Sequence, residues 1–174
     1  MTASGSASKP AKGQVRLAGI LERIPVAREQ LLVAIEDLGP AFDVAAIKAA
    51  ATSADPRERN KVAVIERELD VLIAYMEELA SRGLAEGKRL GVVPVEGGHP
   101  FERLADLGVI ADASARRLQD VKDLRNKLAH AYPPGPWRAL HQAVEVLRDE
   151  LDGYTVKVGL WLRDTGILPV GESR

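Results

Sequence analysis

Apolar residues recur every three or four positions over most of the chain, which is the spacing of one face of an α-helix. The longest such stripe follows Asp55-Pro56, a capping carboxylate with a proline that is tolerated in the first helical turn. This pattern predicts a helix over residues 56–84 that Gly83 and Gly87 bring to an end. Its apolar positions are Val62, Ile65, Leu69, Leu72, Ile73, Met76, Leu79 and Ala80.

The same spacing predicts helices on both sides of this one. Before it we expect a short helix or arm over 15–24, a break or a new helix at Pro25, an end at Gly39-Pro40, and a short alanine-rich helix over 43–51. After it we expect a turn of helix over 100–107, a helix over 113–131, and a last helix that begins at Trp137 and ends near Gly166. Alternation of the β type does not extend beyond a few residues. The prediction is an all-α fold, an up-and-down helical bundle of four to five main helices with no sheet.

The length of 174 residues has room for one domain with a good-sized core. Residues 1–13, rich in Ser, Ala, Gly, Lys and Pro, are predicted to be a disordered leader. We expect residues 14–55 to form an N-terminal helical extension that packs on the bundle, 56–166 to form the bundle core, and 167–174 to be a tail.

Composition narrows the chemistry. Aromatic residues make up only 4 % of the chain, so aliphatic side chains must build the core. The absence of cysteine excludes disulfides, thiolate metal sites and a cysteine nucleophile, and fits a reducing, cytoplasmic compartment. A formal charge of −1 argues against a broadly basic surface that coats nucleic acid. With no apolar run of about 18 residues, we expect no membrane partner.

Four polar side chains lie close together where the predicted 113–131 helix ends: Arg125, Asn126, His130 and Tyr132. On a regular helix Asn126 and His130 share a face, whereas Arg125 and His130 diverge by about 140°. A two-fold pair of chains could bring two such surfaces together in one cleft.

Histidine and arginine in this setting suggest phosphate chemistry. The unpaired carbonyls of the last helical turn favour a protonated His130, and an imidazole is the usual proton carrier in catalysis. The Arg125 guanidinium suits a phosphate whose negative charge increases in the transition state. We therefore predict metal-independent cleavage of RNA by its own 2′-hydroxyl, with no cofactor and no metal. Over residues 113–130 five basic residues against two acidic ones give a mild basic bias.

At these residues the sequence resembles the HEPN superfamily, whose signature is an arginine, four to six residues and a histidine. It is more narrowly similar to the HepT toxins, in which Arg-Asn, three residues, His, one residue and Tyr close the third long helix of a bundle. The stretch Leu107-Gly108-Val109-Ile110 leads into the motif with that family's spacing. The resemblance covers roughly residues 57–163.

This resemblance implies a homodimeric endoribonuclease that is the toxin of a HEPN/MNT toxin–antitoxin system of type VII. Arg125 and His130 would then be catalytic, and Asn126 would orient one of them or the RNA. The partner of such toxins is a minimal nucleotidyltransferase (MNT) antitoxin, which attaches AMP to the motif tyrosine, here Tyr132. The added bulk and negative charge would exclude the RNA phosphate.

Two alternatives stay open at this stage. One is a HEPN module that binds a nucleotide or a partner protein without cutting, which the near-neutral charge favours and the intact motif disfavours. The other is a helical interaction domain whose His130 only caps its helix. Of the remaining histidines, we expect His99 to be a turn residue and His141 to be exposed. Trp137 and Trp161 are expected to pack in the core or at a dimer interface.

Overall fold

A computed structural model describes residues 11–94, 97–130 and 137–169, and for residues 125–130 it describes the backbone alone. These ranges contain helices and no strand, so the all-α prediction is confirmed. None of the helices in these ranges is long and apolar enough to cross a membrane. The helices are α1 (Lys12–Leu38), α2 (Val44–Ala51), α3 (Pro56–Arg89), α4 (Pro100–Asp106), α5 (Asp112–His130) and α6 (Trp137–Asp164).

Helix α3 is the centre of the fold, because each of the other five helices contacts it. Asp55 caps its first turn by accepting a hydrogen bond from the backbone N–H of Arg57 at 2.8 Å, and Pro56 follows as predicted. All eight residues of the predicted apolar stripe are buried. The most extensive packing of α3 is with α1, whose own buried face includes Leu17, Ile20 and Leu31.

The predicted end of α3 at its glycines is wrong, since the helix continues through Gly83 and Gly87 to Arg89. Both glycines are buried and serve close packing instead. A Cβ atom on Gly83 would lie 2.9 Å from the Trp161 ring, and one on Gly87 would lie 2.5 Å from the Val93 side chain. Tertiary packing therefore decides the role of these glycines, and their weak helix propensity does not.

The predicted break at Pro25 is also wrong, because α1 is a single helix of 27 residues that contains this proline. Pro25 is exposed, while Ile24 and Ala27 beside it are buried. The apolar packing of α1 on either side of the proline offsets the one backbone hydrogen bond that the proline removes.

Side-chain contacts fix the directions of the helices that surround the motif. Along α6, Tyr154 lies beside Met76 and Trp161 lies beside Gly83, so α3 and α6 run parallel. Arg117 of α5 pairs with Asp149 and Glu150 of α6 at 2.8 Å each. Because α5 ends at residue 130 and α6 begins at residue 137, this pairing makes α5 and α6 antiparallel. Helix α5 consequently runs antiparallel to α3.

The described residues include parts of the predicted leader and of the predicted tail. Helix α1 begins at Lys12, and residues 1–10 of the predicted leader lie outside the described residues. In the stretch predicted as a tail, Ile167 and Leu168 are buried in the structure. They follow Gly166, whose φ of 72° turns the chain back after α6.

Candidate functional site

The predicted motif lies on the last turns of α5, which is helical through His130. The backbone therefore places Arg125 and His130 about 140° apart around the helix, and Asn126 and His130 on one face. The side chains of residues 125–130, and all of Tyr132, lie outside the described residues. The catalytic roles of Arg125, Asn126 and His130 and the modification of Tyr132 stay predictions.

Helix α5 is anchored to the core by the turns that precede the motif. Ala115, Leu118 and Val121 are buried, and Leu124 is half-buried against the core. These four positions follow one another at three-residue steps, one of the two spacings of an apolar helix face. The buried turns of α5 therefore lead directly into the motif.

One helical turn before the motif, a polar cluster joins three helices. It consists of Glu77 on α3, His99 at the start of α4 and Lys122 on α5. The Lys122 ammonium lies 2.5 Å from a Glu77 carboxylate oxygen, and His99 Nε2 lies 3.4 Å from the same oxygen. The side chains are 24 %, 15 % and 30 % exposed for Glu77, His99 and Lys122, so the cluster has one open edge.

The carboxylate explains how two nitrogen donors can be neighbours in this cluster. His99 Nδ1 accepts a hydrogen bond from the backbone N–H of Phe101 at 3.4 Å, which assigns the proton of the neutral ring to Nε2. Nε2 lies 3.1 Å from Lys122 Nζ, and neither of these atoms can then accept from the other. A Glu77 carboxylate oxygen lies within 3.4 Å of both nitrogens, so its negative charge holds the lysine and the histidine together.

Behind the cluster lies the apolar core. The buried Tyr154 hydroxyl donates a hydrogen bond to the Met76 carbonyl at 2.7 Å, and the Tyr154 ring meets Phe101 edge-on. Burial, and then the charge of Glu77, raise the pKa of Tyr154 far above its ordinary value. Tyr154 is therefore a structural hydrogen-bond donor, and the polar cluster faces away from it toward the open edge.

Glu77 belongs to a row of carboxylates on one side of α3, Glu66, Asp70 and Glu77, which we call the α5-facing flank because Glu77 contacts Lys122 of α5 there. These positions lie within about 40° of one another around the helix. Since the helices are antiparallel and Glu77 contacts Lys122, Asp70 lies about 10.5 Å further along, level with residue 129. The flank therefore brings a carboxylate to the level of the motif.

The pKa of Glu66 is affected by its neighbours on this flank. Its pKa is raised from the ordinary value of 4.5, first by burial and then by the neighbouring charge of Asp70. A carboxyl that is harder to ionise marks a partly dry, negatively charged surface on this flank.

The other histidines illustrate what sequence reasoning missed. His99 was predicted to be a turn residue; in the structure it lies directly before α4, caps that helix and joins the polar cluster. The sequence Gly-Gly-His-Pro could have indicated a helix start, whereas nothing local pointed to Glu77 or Lys122. His141 was predicted to be exposed and is not; it is half-buried, stacks on Phe42 at 5.3 Å, and lies 3.1 Å from the Phe42 carbonyl oxygen.

Trp137 and Trp161 are half-buried and pack against the core, as predicted for structural tryptophans. Among the described residues, no group of three or more His, Cys, Asp or Glu side chains is arranged to hold a metal ion. In comparisons of this chain with protein-family models, curated proteins and solved structures, nothing matched.

Proposed function

We propose that this protein is a HEPN-type endoribonuclease, the toxin of a type VII toxin–antitoxin pair, that acts as a homodimer. The observation that carries the proposal is the string of Arg125, Asn126, His130 and Tyr132 on and just after one helix of an all-α fold. A continuous helix through His130 supports it, because the motif spacing then has a defined meaning on the helix surface.

In the proposed reaction the RNA supplies its own nucleophile. The 2′-oxygen attacks the adjacent phosphorus and gives up its proton to water, while the bond from phosphorus to the 5′-oxygen breaks and the protonated His130 donates a proton to that oxygen. The leaving 5′-oxygen receives a proton, so the products are a 2′,3′-cyclic phosphate and a 5′-hydroxyl. Arg125 offsets the extra charge on the phosphate in the transition state, and Asn126 orients the groups around it.

The angular separation of Arg125 and His130 supports a two-fold arrangement. On one helix the two positions diverge by about 140°, so a single copy presents them to different directions. A second copy related by a two-fold axis can supply the missing group to each half of a shared cleft. The proposed MNT antitoxin would block this cleft by adding AMP to Tyr132, which brings a negative charge to the place where a phosphate binds.

A non-catalytic HEPN module is the second candidate, and one observation favours it. The formal net charge is only −1, and Glu66, Asp70 and Glu77 place three of the chain's 25 carboxylates on the α5-facing flank of α3. Such a flank disfavours an extended anion unless neighbouring cations neutralise it. This candidate predicts nucleotide or partner binding at the motif without any RNA product.

The test compares wild type with His130→Ala in an RNA cleavage assay. We expect cleavage to fall by at least about 100-fold, as for loss of a general acid–base catalyst, and the wild-type products to carry 2′,3′-cyclic phosphates. His141→Gln is the matched control, because His141 stacks on Phe42 away from the motif. Equal cleavage by wild type and His130→Ala, or binding of RNA without any product, would overturn the proposal.

The proposed control by the antitoxin has its own readout. After co-expression with an MNT-type nucleotidyltransferase, mass spectrometry of the peptide that contains Tyr132 should show the mass of one added AMP. Tyr132→Phe should abolish that addition and leave cleavage insensitive to the antitoxin. A modification that is found on Tyr75 or Tyr154 instead would contradict the assignment to Tyr132.

A further inference from the structure

The polar cluster of Glu77, His99 and Lys122 has a geometry that core stability alone does not require. Its three side chains are all partly exposed, and two of them are nitrogen donors that converge on one oxygen. An apolar arrangement of similar volume would hold three helices together at least as well as an ion pair of this kind. The arrangement resembles an anion-binding site in which a carboxylate of the protein takes the place of the anion.

The position of the cluster on α5 relates it to the motif. Lys122 and Asn126 are four residues apart, so they share a face of α5 and lie about 6 Å apart along the axis. A strand of RNA whose scissile phosphate lies at the motif can therefore place a neighbouring phosphate near Lys122. The exposure of Lys122, at 30 %, leaves its ammonium within reach of such a ligand.

We propose that Lys122 and His99 form a second phosphate subsite for the RNA backbone, and that Glu77 occupies this subsite when RNA is absent. A phosphate oxygen would accept hydrogen bonds from Lys122 Nζ and from the Nε2–H of His99. These are the same two nitrogens that Glu77 now contacts. The cap that His99 provides to Phe101 holds the imidazole in the tautomer that this contact needs. This subsite rests on RNA being the ligand of the proposed enzyme.

Glu77 gives the proposal an unusual consequence. If the cluster were only structural, removing either partner of the ion pair would loosen it. Substitution of Glu77 and substitution of Lys122 would then each weaken RNA binding or leave it unchanged. If Glu77 competes with a phosphate, then Glu77→Gln strengthens RNA binding while Lys122→Gln weakens it. The opposite signs of the two effects separate the two roles.

The experiment measures binding of a short, fluorescently labelled single-stranded RNA by the full chain with His130→Ala, at several salt concentrations. We expect Lys122→Gln to raise Kd by about three- to tenfold and to reduce the salt slope by about 0.7, the value for one lost phosphate contact on a single strand. We expect Glu77→Gln to lower Kd. In the cleaving protein, the same substitutions should change KM and leave kcat nearly unchanged.

Two controls remove the effect of charge alone. Lys157→Gln removes an exposed lysine of α6, and Asp123→Asn removes an exposed carboxylate next to Lys122. Their effects on Kd should be smaller than those of the matching cluster variants. The double variant Lys122→Gln with Glu77→Gln leaves no unpaired charge in the cluster, so it keeps the test valid if Lys122→Gln alone unfolds. It should bind RNA more weakly than Glu77→Gln alone does, because it lacks the lysine that would bind the phosphate.

The outcomes also separate this proposal from the proposed function. If wild type cleaves RNA and neither Lys122→Gln nor Glu77→Gln changes Kd or KM, the subsite is refuted and the ribonuclease stands. If RNA binds without being cleaved and the two variants shift Kd in opposite directions, the subsite stands and the ribonuclease is refuted. If both variants weaken binding equally, the cluster is structural and the subsite is refuted.

Discussion

Helix α3 presents two contrasting sides to its neighbours. Toward α6 it is apolar and closely packed. Gly83 lies against Trp161 and Leu162, and the Tyr154 hydroxyl donates a hydrogen bond to the Met76 carbonyl. Toward α5 it carries Glu66, Asp70 and Glu77, which are only partly buried.

The difference shows how one helix can serve both packing and chemistry. Small residues allow two backbones to approach until no water fits between them, and the contact energy then comes from dispersion and apolar burial. Carboxylates at the same depth require counter-charges, so they keep a neighbouring helix at a distance that polar side chains and ligands can use. The α6-facing side fixes α3 in place, and the α5-facing flank leaves room for function.

The largest effect that we expect on stability comes from adding a methyl group where Gly83 lies against Trp161. In Gly83→Ala the new Cβ would lie 2.9 Å from Trp161 and 3.0 Å from Leu162, so the ring or the helix has to shift. Overpacking of this kind costs about 1–3 kcal/mol, against about 1 kcal/mol gained in helix propensity. The free energy of unfolding in urea should therefore fall despite the better helix former.

Gly153 of α6 is the matched control for that substitution. A Cβ there would meet nothing within 4 Å, so Gly153→Ala should raise the free energy of unfolding by up to about 1 kcal/mol. The two substitutions are chemically identical and are expected to have opposite signs. Stabilisation by both substitutions would show that the contact between α3 and α6 is looser than described. The two sides of α3 would then no longer differ in how closely they are packed.

The sequence predicted the apolar side of α3 better than its glycines. An apolar stripe has a period that is visible along the chain, and all eight predicted positions are buried. Whether a glycine ends a helix or admits a neighbour depends on the partner helix, here Trp161 at the far end of the chain. Local propensity therefore misplaced the end of α3, and it misjudged Pro25 for the same reason.

One part of the candidate site could likewise be predicted from the sequence, and another part could not. The motif from Arg125 to Tyr132 could be predicted from the sequence because its residues lie within eight positions of one another along the chain. The cluster of Glu77, His99 and Lys122 could not, because each residue comes from a different helix and each has an ordinary local context. Long-range polar contacts carry no periodic signal, so only the antiparallel register of α3 and α5 reveals them.

A smaller effect should appear on the α5-facing flank as a dependence of stability on pH. The pKa of Glu66 is raised above 4.5 in the folded protein, so the native state binds this proton more tightly than the unfolded chain does. Ionising Glu66 consequently costs stability, and this cost is absent at pH values well below 4.5 and complete once the pH has passed the raised pKa. Glu66→Gln removes the charge and keeps the shape of the side chain.

We expect Glu66→Gln to raise the free energy of unfolding at pH 7 by less than about 1 kcal/mol, because a half-exposed carboxyl is well screened. The gain should shrink toward zero as the pH falls below 4.5, which urea unfolding at a series of pH values can measure. A gain of equal size at every pH would mean that the substitution acts through packing. A loss of stability at pH 7 would mean that a cation holds Glu66, and the α5-facing flank would then be stabilised by an ion pair at Glu66 as well as by the one at Glu77.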